Sequence, residues 1–143
     1  MAEDVEDVFV VETSFAQQSM WLQHQMDPTK PTCNITAAAR VRGPLGTEAL
    51  RRALAAVIDR HEALRTVFRV EDGVPVQVVR NRMDVPVPVV DTHPSEVEAS
   101  FRQDAEKPFD VEHGPLMRMR VLRLGPEEHI LLLVMHHLAM DGW

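Results

Sequence analysis

The chain has 143 residues, of which 45% are hydrophobic and 26% charged, with a formal net charge of −7 at pH 7. That is chain enough for one domain with a core, and its acidic balance carries no basic footprint for nucleic acid. One cysteine, Cys33, excludes an internal disulfide and fits a reducing compartment; neither a partner nor a motif marks it as a nucleophile.

The N-terminus, Met1-Ala2-Glu3-Asp4-Val5-Glu6-Asp7, lacks the basic and apolar regions of a signal peptide. No apolar stretch approaches the roughly 18 residues of a membrane span. The sequence therefore reads as cytoplasmic, with neither nucleic acid nor membrane as a partner. Within the acidic lead-in, Val8-Phe9-Val10-Val11 is β-like. Ser14-Phe15-Ala16-Gln17 then opens a helix. The Ser14 side chain can accept from the amide three residues on, and Gln17 can reach back to the Ser14 amide. Asp27-Pro28 stops this helix near Met26. Phe15, Leu22 and Met26 share one face at helical spacing, and Trp21, on the other side of the wheel, is expected to pack on a neighbouring layer. Asn34 to Val41 alternates weakly and reads as a strand ending at Arg42-Gly43-Pro44. Thr47 is the expected N-cap of the clearest helix, in which Leu50, Leu54, Val57, Ile58 and His61 recur at i, i+4, i+7, i+8 and i+11. It is expected to run to about Leu64.

Thr66 to Val70 and Val74 to Val79 read as a β-hairpin, with Asp72-Gly73 supplying the turn. Val85 to Val90 is β-like, but Pro86 and Pro88 confine it to an edge strand or an extended connection. A third helix is expected over 95–107, capped by Ser95 or Thr92, with Val97, Phe101 and Ala105 as its apolar stripe and Pro108 ending it. After a loop from Phe109 to Pro115, Met117 to Leu122 alternates like a half-buried strand. His129 to Met135 is continuously apolar, consistent with a strand buried on both faces. The order predicts an α+β fold, a two-layer sandwich of helices on a mixed sheet.

The last strand drives into Met135-His136-His137-Leu138-Ala139-Met140-Asp141-Gly142-Trp143. Adjacent strand residues point to opposite faces, so one histidine is the working group and the other supports the structure. Histidine titrates near neutrality and suits general acid–base work. A turn can return Asp141 towards the site, where a buried carboxylate needs a cation or hydrogen bonds. Gly142 permits a sharp turn and leaves an amide open to a ligand. Two histidines and an aspartate also form a plausible metal set. Adjacent histidines, however, lack the i, i+4 spacing of helix-borne ligands, and no metal is expected. A purely structural histidine pair is the remaining alternative.

Three stretches, in order, resemble the motifs of the condensation domains of non-ribosomal peptide synthetases. Ser14-Phe15-Ala16-Gln17-Gln18-Ser19-Met20-Trp21-Leu22 is similar to Ser-x-Ala-Gln-x-Arg-Leu-Trp-x-Leu, with Ser19 and Met20 in place of the usual Arg-Leu. Arg60-His61-Glu62-Ala63-Leu64-Arg65-Thr66-Val67-Phe68 matches Arg-His-Glu-x-Leu-Arg-Thr-x-Phe at every specified position. Met135 to Trp143 matches Met-His-His-x-x-x-Asp-Gly-Trp, and Pro108-Phe109-Asp110 to Gly114-Pro115-Leu116 is also family-like.

The resemblance implies a pair of chloramphenicol-acetyltransferase-like halves forming a V, with the active site at their junction. Residues 1–143 correspond to the N-terminal half, the C-terminal half being absent. The implied reaction is amide formation: an acceptor α-amine attacks a donor acyl thioester, both delivered on phosphopantetheine arms. The chain itself binds no cofactor. Its implied partners are donor and acceptor carrier protein domains, the C-terminal half and an adjacent adenylation domain. The family points to His137 for amine positioning, proton acceptance or both. It pairs Asp141 with Arg65 to shape the loop. The Gly142 amide is a candidate oxyanion donor, His136 a supporting group, and Trp143 a packing residue, as is Trp21. In Arg60-His61-Glu62, helix-end packing and surface charge are expected. Alone, this stretch is expected to be inactive. Two rival readings are a coenzyme-A-dependent acyltransferase sharing the His-x-x-x-Asp core and a non-catalytic carrier-docking module.

Overall fold

The computed structural model describes residues Asp7 to Met140. In chain order these form β1 (Asp7–Glu12), α1 (Phe15–Met26), β2 (Asn34–Arg42), α2 (Thr47–Arg60), a 3-10 turn (Glu62–Arg65), β3 (Thr66–Glu71), β4 (Val74–Arg80), β5 (Val89–Asp91), a second 3-10 turn (Pro94–Glu96), α3 (Val97–Glu106), β6 (Met117–Gly125) and β7 (Glu128–His136). The class is α+β, as expected. The strands divide between an antiparallel three-stranded sheet, β1-β4-β3, and a mixed four-stranded sheet, β2-β7-β6-β5, in which only β5–β6 is parallel.

Local chemistry explains several element ends. Ser14 and Gln17 form the expected capping box: the Gln17 amide donates to Ser14 Oγ at 3.2 Å and the Ser14 amide to Gln17 Oε1 at 2.9 Å. The β3–β4 turn holds Asp72 at φ 50° and Gly73 at φ 80°, the paired positive values that a two-residue type I′ hairpin requires. Gly46, not Thr47, is the N-cap of α2, and the helix ends at Arg60 rather than Leu64. His61 leaves it extended, at φ −116° and ψ 102°, and residues 62–65 tighten into the 3-10 turn. The cap before α3 also differs from expectation. His93 Nδ1 accepts from the Ser95 amide and Glu96 accepts from the His93 amide, so an imidazole does the work assigned to Ser95 or Thr92.

The four-stranded sheet is covered on both faces. Leu54 and Ile58 of α2 pack on Met117, Val121 and Met135. Residues of opposite alternation, Leu122, Ile130 and Leu132, lie under Val97 and Phe101 of α3. Beyond α3, the end of β7 enters a third apolar cluster of Phe68, Phe109, Val111, Leu116, Val134 and Leu138, against which Met20 and Trp21 of α1 pack. Trp21 thus packs as expected.

The outer stripe of α1 does not. Phe15, Leu22 and Met26 are 91%, 58% and 80% exposed, because the helix turns its Gln17-Met20-Trp21-His24 face inward. Polar anchors decide this orientation. Gln17 Nε2 donates to Gln77 Oε1 on β4 at 2.9 Å, and Thr13 Oγ1 donates to the Pro75 carbonyl at 2.8 Å. These bonds tie the start of α1 to the three-stranded sheet while its later turns pack beside β7. None of the helices among the described residues is long and apolar enough to cross a membrane.

Candidate active site

β7 ends where the histidines begin, and four backbone amides mark the change of direction. The His136 amide still donates in strand fashion, to the Leu116 carbonyl at 2.9 Å, while the His137 amide donates to the Cys33 carbonyl at 2.7 Å. The Leu138 amide then turns back onto His136 Nδ1 at 3.1 Å, and the Ala139 amide onto the His136 carbonyl at 2.9 Å. His136 therefore serves as the pivot of the turn, with both its ring and its carbonyl receiving amides from the residues that follow.

The two histidines separate as strand alternation predicts. His136 is 1% exposed. His137 is half-buried and lines a cavity of 280 Å³. Its other walls are Ser14, the N-cap of α1, Ala16, Gln17 and Met20 from that helix, Ala63 from the first 3-10 turn, and Leu138 to Met140. All three sequence motifs thus contribute to one hollow, although residues 14, 63 and 137 are far apart in the chain. Larger hollows of 640 and 560 Å³ lie at the Asp91–Arg123 edge and along the outside of α3, and neither holds residues of these motifs.

Burial pushes the His136 imidazole down to about 4, helped by His24 and His137 beside it. His24 is lowered too, again by burial, with Asp110 opposing. A neutral His136 that accepts at Nδ1 carries its proton on Nε2. That atom is buried and has no hydrogen-bond partner among the described residues. Two rings stand nearly perpendicular to the imidazole: His24 at 5.2 Å and 78°, and Phe109 at 6.0 Å and 85°. The Arg118 guanidinium covers the Phe109 ring at 3.8 Å.

These shifts fix a sign for acid stability. A histidine whose folded pKa lies below its unfolded value of 6.5 stabilises the fold fully above that value, and the contribution is lost as pH falls towards the folded pKa. For His136 the loss reaches about 3 kcal/mol by the lower end of that window. Denaturant midpoints are expected to fall between about pH 6.5 and 4, above the range where carboxylate protonation dominates, and His136→Gln is expected to flatten this segment. A wild-type midpoint that stays constant over the window contradicts the buried neutral assignment.

Arg65, in the first 3-10 turn, is half-buried; its Nη1 donates to the Arg80 carbonyl at 2.6 Å, and its Nε has no partner among the described residues. Asp141, Gly142 and Trp143 lie outside the described residues. Among the described residues, no three His, Cys, Asp or Glu side chains are placed to hold a metal ion. Two contributors carry no signal as site residues in the sequence alone. Cys33 is buried and acts through its carbonyl on the His137 amide. His24 shares the helical face of Gln17, Met20 and Trp21, a spacing that flags it only once the inward face of α1 is known.

A family model described as Condensation domain matches residues 9–143. The chain is 42% identical to cyclosporin synthetase simA of Tolypocladium inflatum over 135 residues, covering 93% of this chain and 1% of that protein. Phosphinothricin tripeptide synthetase PhsC of Streptomyces viridochromogenes is 38% identical over 140 residues, 93% of this chain and 13% of that one. Nonribosomal peptide synthetase kk1B of Curvularia clavata is 37% identical over 133 residues, 93% and 1% of the two chains. The chain therefore spans only a small part of the length of these relatives. Among solved structures, the starter condensation domain of rhizomide synthetase RzmA superposes with a TM-score of 0.86 at 27% identity, over 94% of this chain and 34% of that one. With the family model spanning nearly the whole chain, and with its motifs gathered around one cavity, the chain belongs to the condensation domain family of nonribosomal peptide synthetases.

Proposed function

We propose that this chain supplies one wall of an acyltransferase site that forms an amide between a carrier-bound acyl thioester and a carrier-bound aminoacyl acceptor. The observation that carries this reading is the cavity shared by Ser14, Gln17, Ala63 and His137. It places an imidazole at the side of a space sized for a small reacting group. The required chemistry is modest. An α-amine titrates near about 7.7–8.0, so much of it is already nucleophilic at neutral pH. The amine nitrogen bonds to the thioester carbonyl carbon, the C–S bond then breaks, and the phosphopantetheine thiol leaves. The site must orient the amine, accept one proton from its nitrogen and steady the tetrahedral oxyanion.

His137 takes the positioning and proton-accepting role. Asp141 and Arg65 frame the loop, in keeping with the buried Arg65 Nε that has no partner among the described residues. The Gly142 amide is the oxyanion donor in this reading, and Trp143 is a packing residue that supports the site. The other wall comes from a second, chloramphenicol-acetyltransferase-like half; the match to 34% of the RzmA domain chain supports this division. Donor and acceptor carrier domains and an adenylation domain are the partners, and the phosphopantetheine arms belong to those carriers.

The test assays the chain alone and joined to its second half, with donor and acceptor loaded on carrier domains. The joined protein is expected to transfer the acyl group. The 143-residue chain alone is expected to show no turnover above the uncatalysed background. Acyl-coenzyme A in place of the loaded donor carrier is expected to support little transfer. Turnover by the chain alone contradicts the two-wall site, and preferred use of coenzyme A favours the rival acyltransferase class.

A further inference from the structure

His24 belongs to none of the matched motif positions, yet it is 7% exposed on α1 and holds its ring 5.2 Å from that of His136. The turn out of β7 depends on His136 Nδ1 remaining an acceptor for the Leu138 amide. A tautomer flip or protonation would place an N–H against that amide and break the turn. The His136 ring is fixed from two directions. α1 presents His24, and the loop before β6 presents Phe109, whose other contact is the Arg118 guanidinium.

We propose that His24 is a positioning residue for the His137 loop: with Phe109 it clamps the His136 ring edge-on, keeps the proton on Nε2, and so preserves the Leu138-to-His136 bond that aims His137 into the cavity. This inference rests on the condensation reading for its catalytic consequence, but not for the clamp itself. Among the described residues, the ionisable groups around His136 are His24 from α1, neighbouring His137, Asp110 of the Phe109 loop acting on His24, and Arg118 from β6 over Phe109. A shape-filling aliphatic side chain at position 24 would occupy the space without an aromatic ring against His136, whereas phenylalanine would retain a ring there.

The experiment compares wild type with His24→Leu and His24→Phe. Long-range proton–nitrogen NMR of the 143-residue chain, labelled at histidine, reads the His136 tautomer directly. Wild type is expected to show a single Nε2–H tautomer down to about pH 5.5, and His24→Leu a mixture of tautomers with titration moved towards the ordinary histidine range. His24→Phe is expected to restore the single tautomer. In the synthetase carrying this chain, at saturating carriers, His24→Leu is expected to slow single-turnover transfer about tenfold or more, since a small misplacement costs up to about 100-fold. His24→Phe is expected to recover most of that loss.

An unchanged His136 tautomer in His24→Leu overturns the clamp. Should the leucine variant not fold, loss of the tautomer in His24→Phe overturns it instead. A lost tautomer with unaltered transfer overturns the positioning role while leaving the condensation reading intact, because that reading is tested separately, by turnover of the chain alone and by coenzyme A use.

Discussion

In a complete condensation domain, His137→Ala is expected to cut single-turnover amide formation by about 100-fold or more, the scale of a positioned acid–base group, while leaving the fold unchanged. The expectation follows from where the two histidines sit. His137 lines the cavity and its backbone amide is held by the Cys33 carbonyl, so truncating its side chain leaves that backbone anchor in place. His136 holds the turn itself. His136→Ala is therefore expected to fail differently, by losing the Leu138 bond and the ring packing of His24 and Phe109. Rapid-quench measurement of acyl transfer, paired with thermal melting, separates the two. Full transfer by a normally folded His137→Ala protein removes His137 from the chemistry.

Arg65→Ala and Asp141→Ala are expected to act on stability first. Removing one partner of a buried charge pair leaves the other uncompensated, at about 3–5 kcal/mol when fully buried. Arg65 is half-buried, so about 2 kcal/mol is expected, or roughly 5–8 °C in melting temperature for a domain of this size. Arg65→Ala also removes the bond from Arg65 to the Arg80 carbonyl, and the turn that carries Ala63 into the cavity wall loses an anchor. The two single variants and the double variant form a cycle whose coupling tests the proposed Arg65–Asp141 pair directly. An Asp141→Ala protein with unchanged melting that loses only turnover assigns Asp141 to the chemistry instead.

Much of this architecture was legible from local rules. The Ser14–Gln17 capping box, the Asp72-Gly73 hairpin and the extended Pro86–Pro88 connection into the edge strand β5 each depend on chemistry within a few residues. The histidine split was legible too, because alternation along β7 is enforced up to His136. What escaped depends on distant partners. The apolar stripe Phe15-Leu22-Met26 was the better hydrophobic face of α1, yet Gln17 meets Gln77, 60 residues away, and the helix rotates accordingly. His24 was silent for the same reason, since its partner, His136, comes from another element. The division of seven strands between two sheets likewise rests on long-range pairing, Asn34 with His136 and Glu12 with Val76. The cap before α3 failed on a narrower ground: the sequence favoured a hydroxyl side chain, whereas the imidazole of His93 caps the 3-10 turn that leads into α3.

The central claim is that the acceptor's amine lies beside His137 in the cavity where the three motifs meet. A chloroacetyl group placed on the acceptor carrier's phosphopantetheine arm sits where the aminoacyl group would. In the complete domain it is expected to alkylate a ring nitrogen of His137, with chloride leaving, and peptide mapping is expected to find the adduct there. An adduct at His136 or Cys33 instead, or none at all on a folded domain that binds the carrier, contradicts the account.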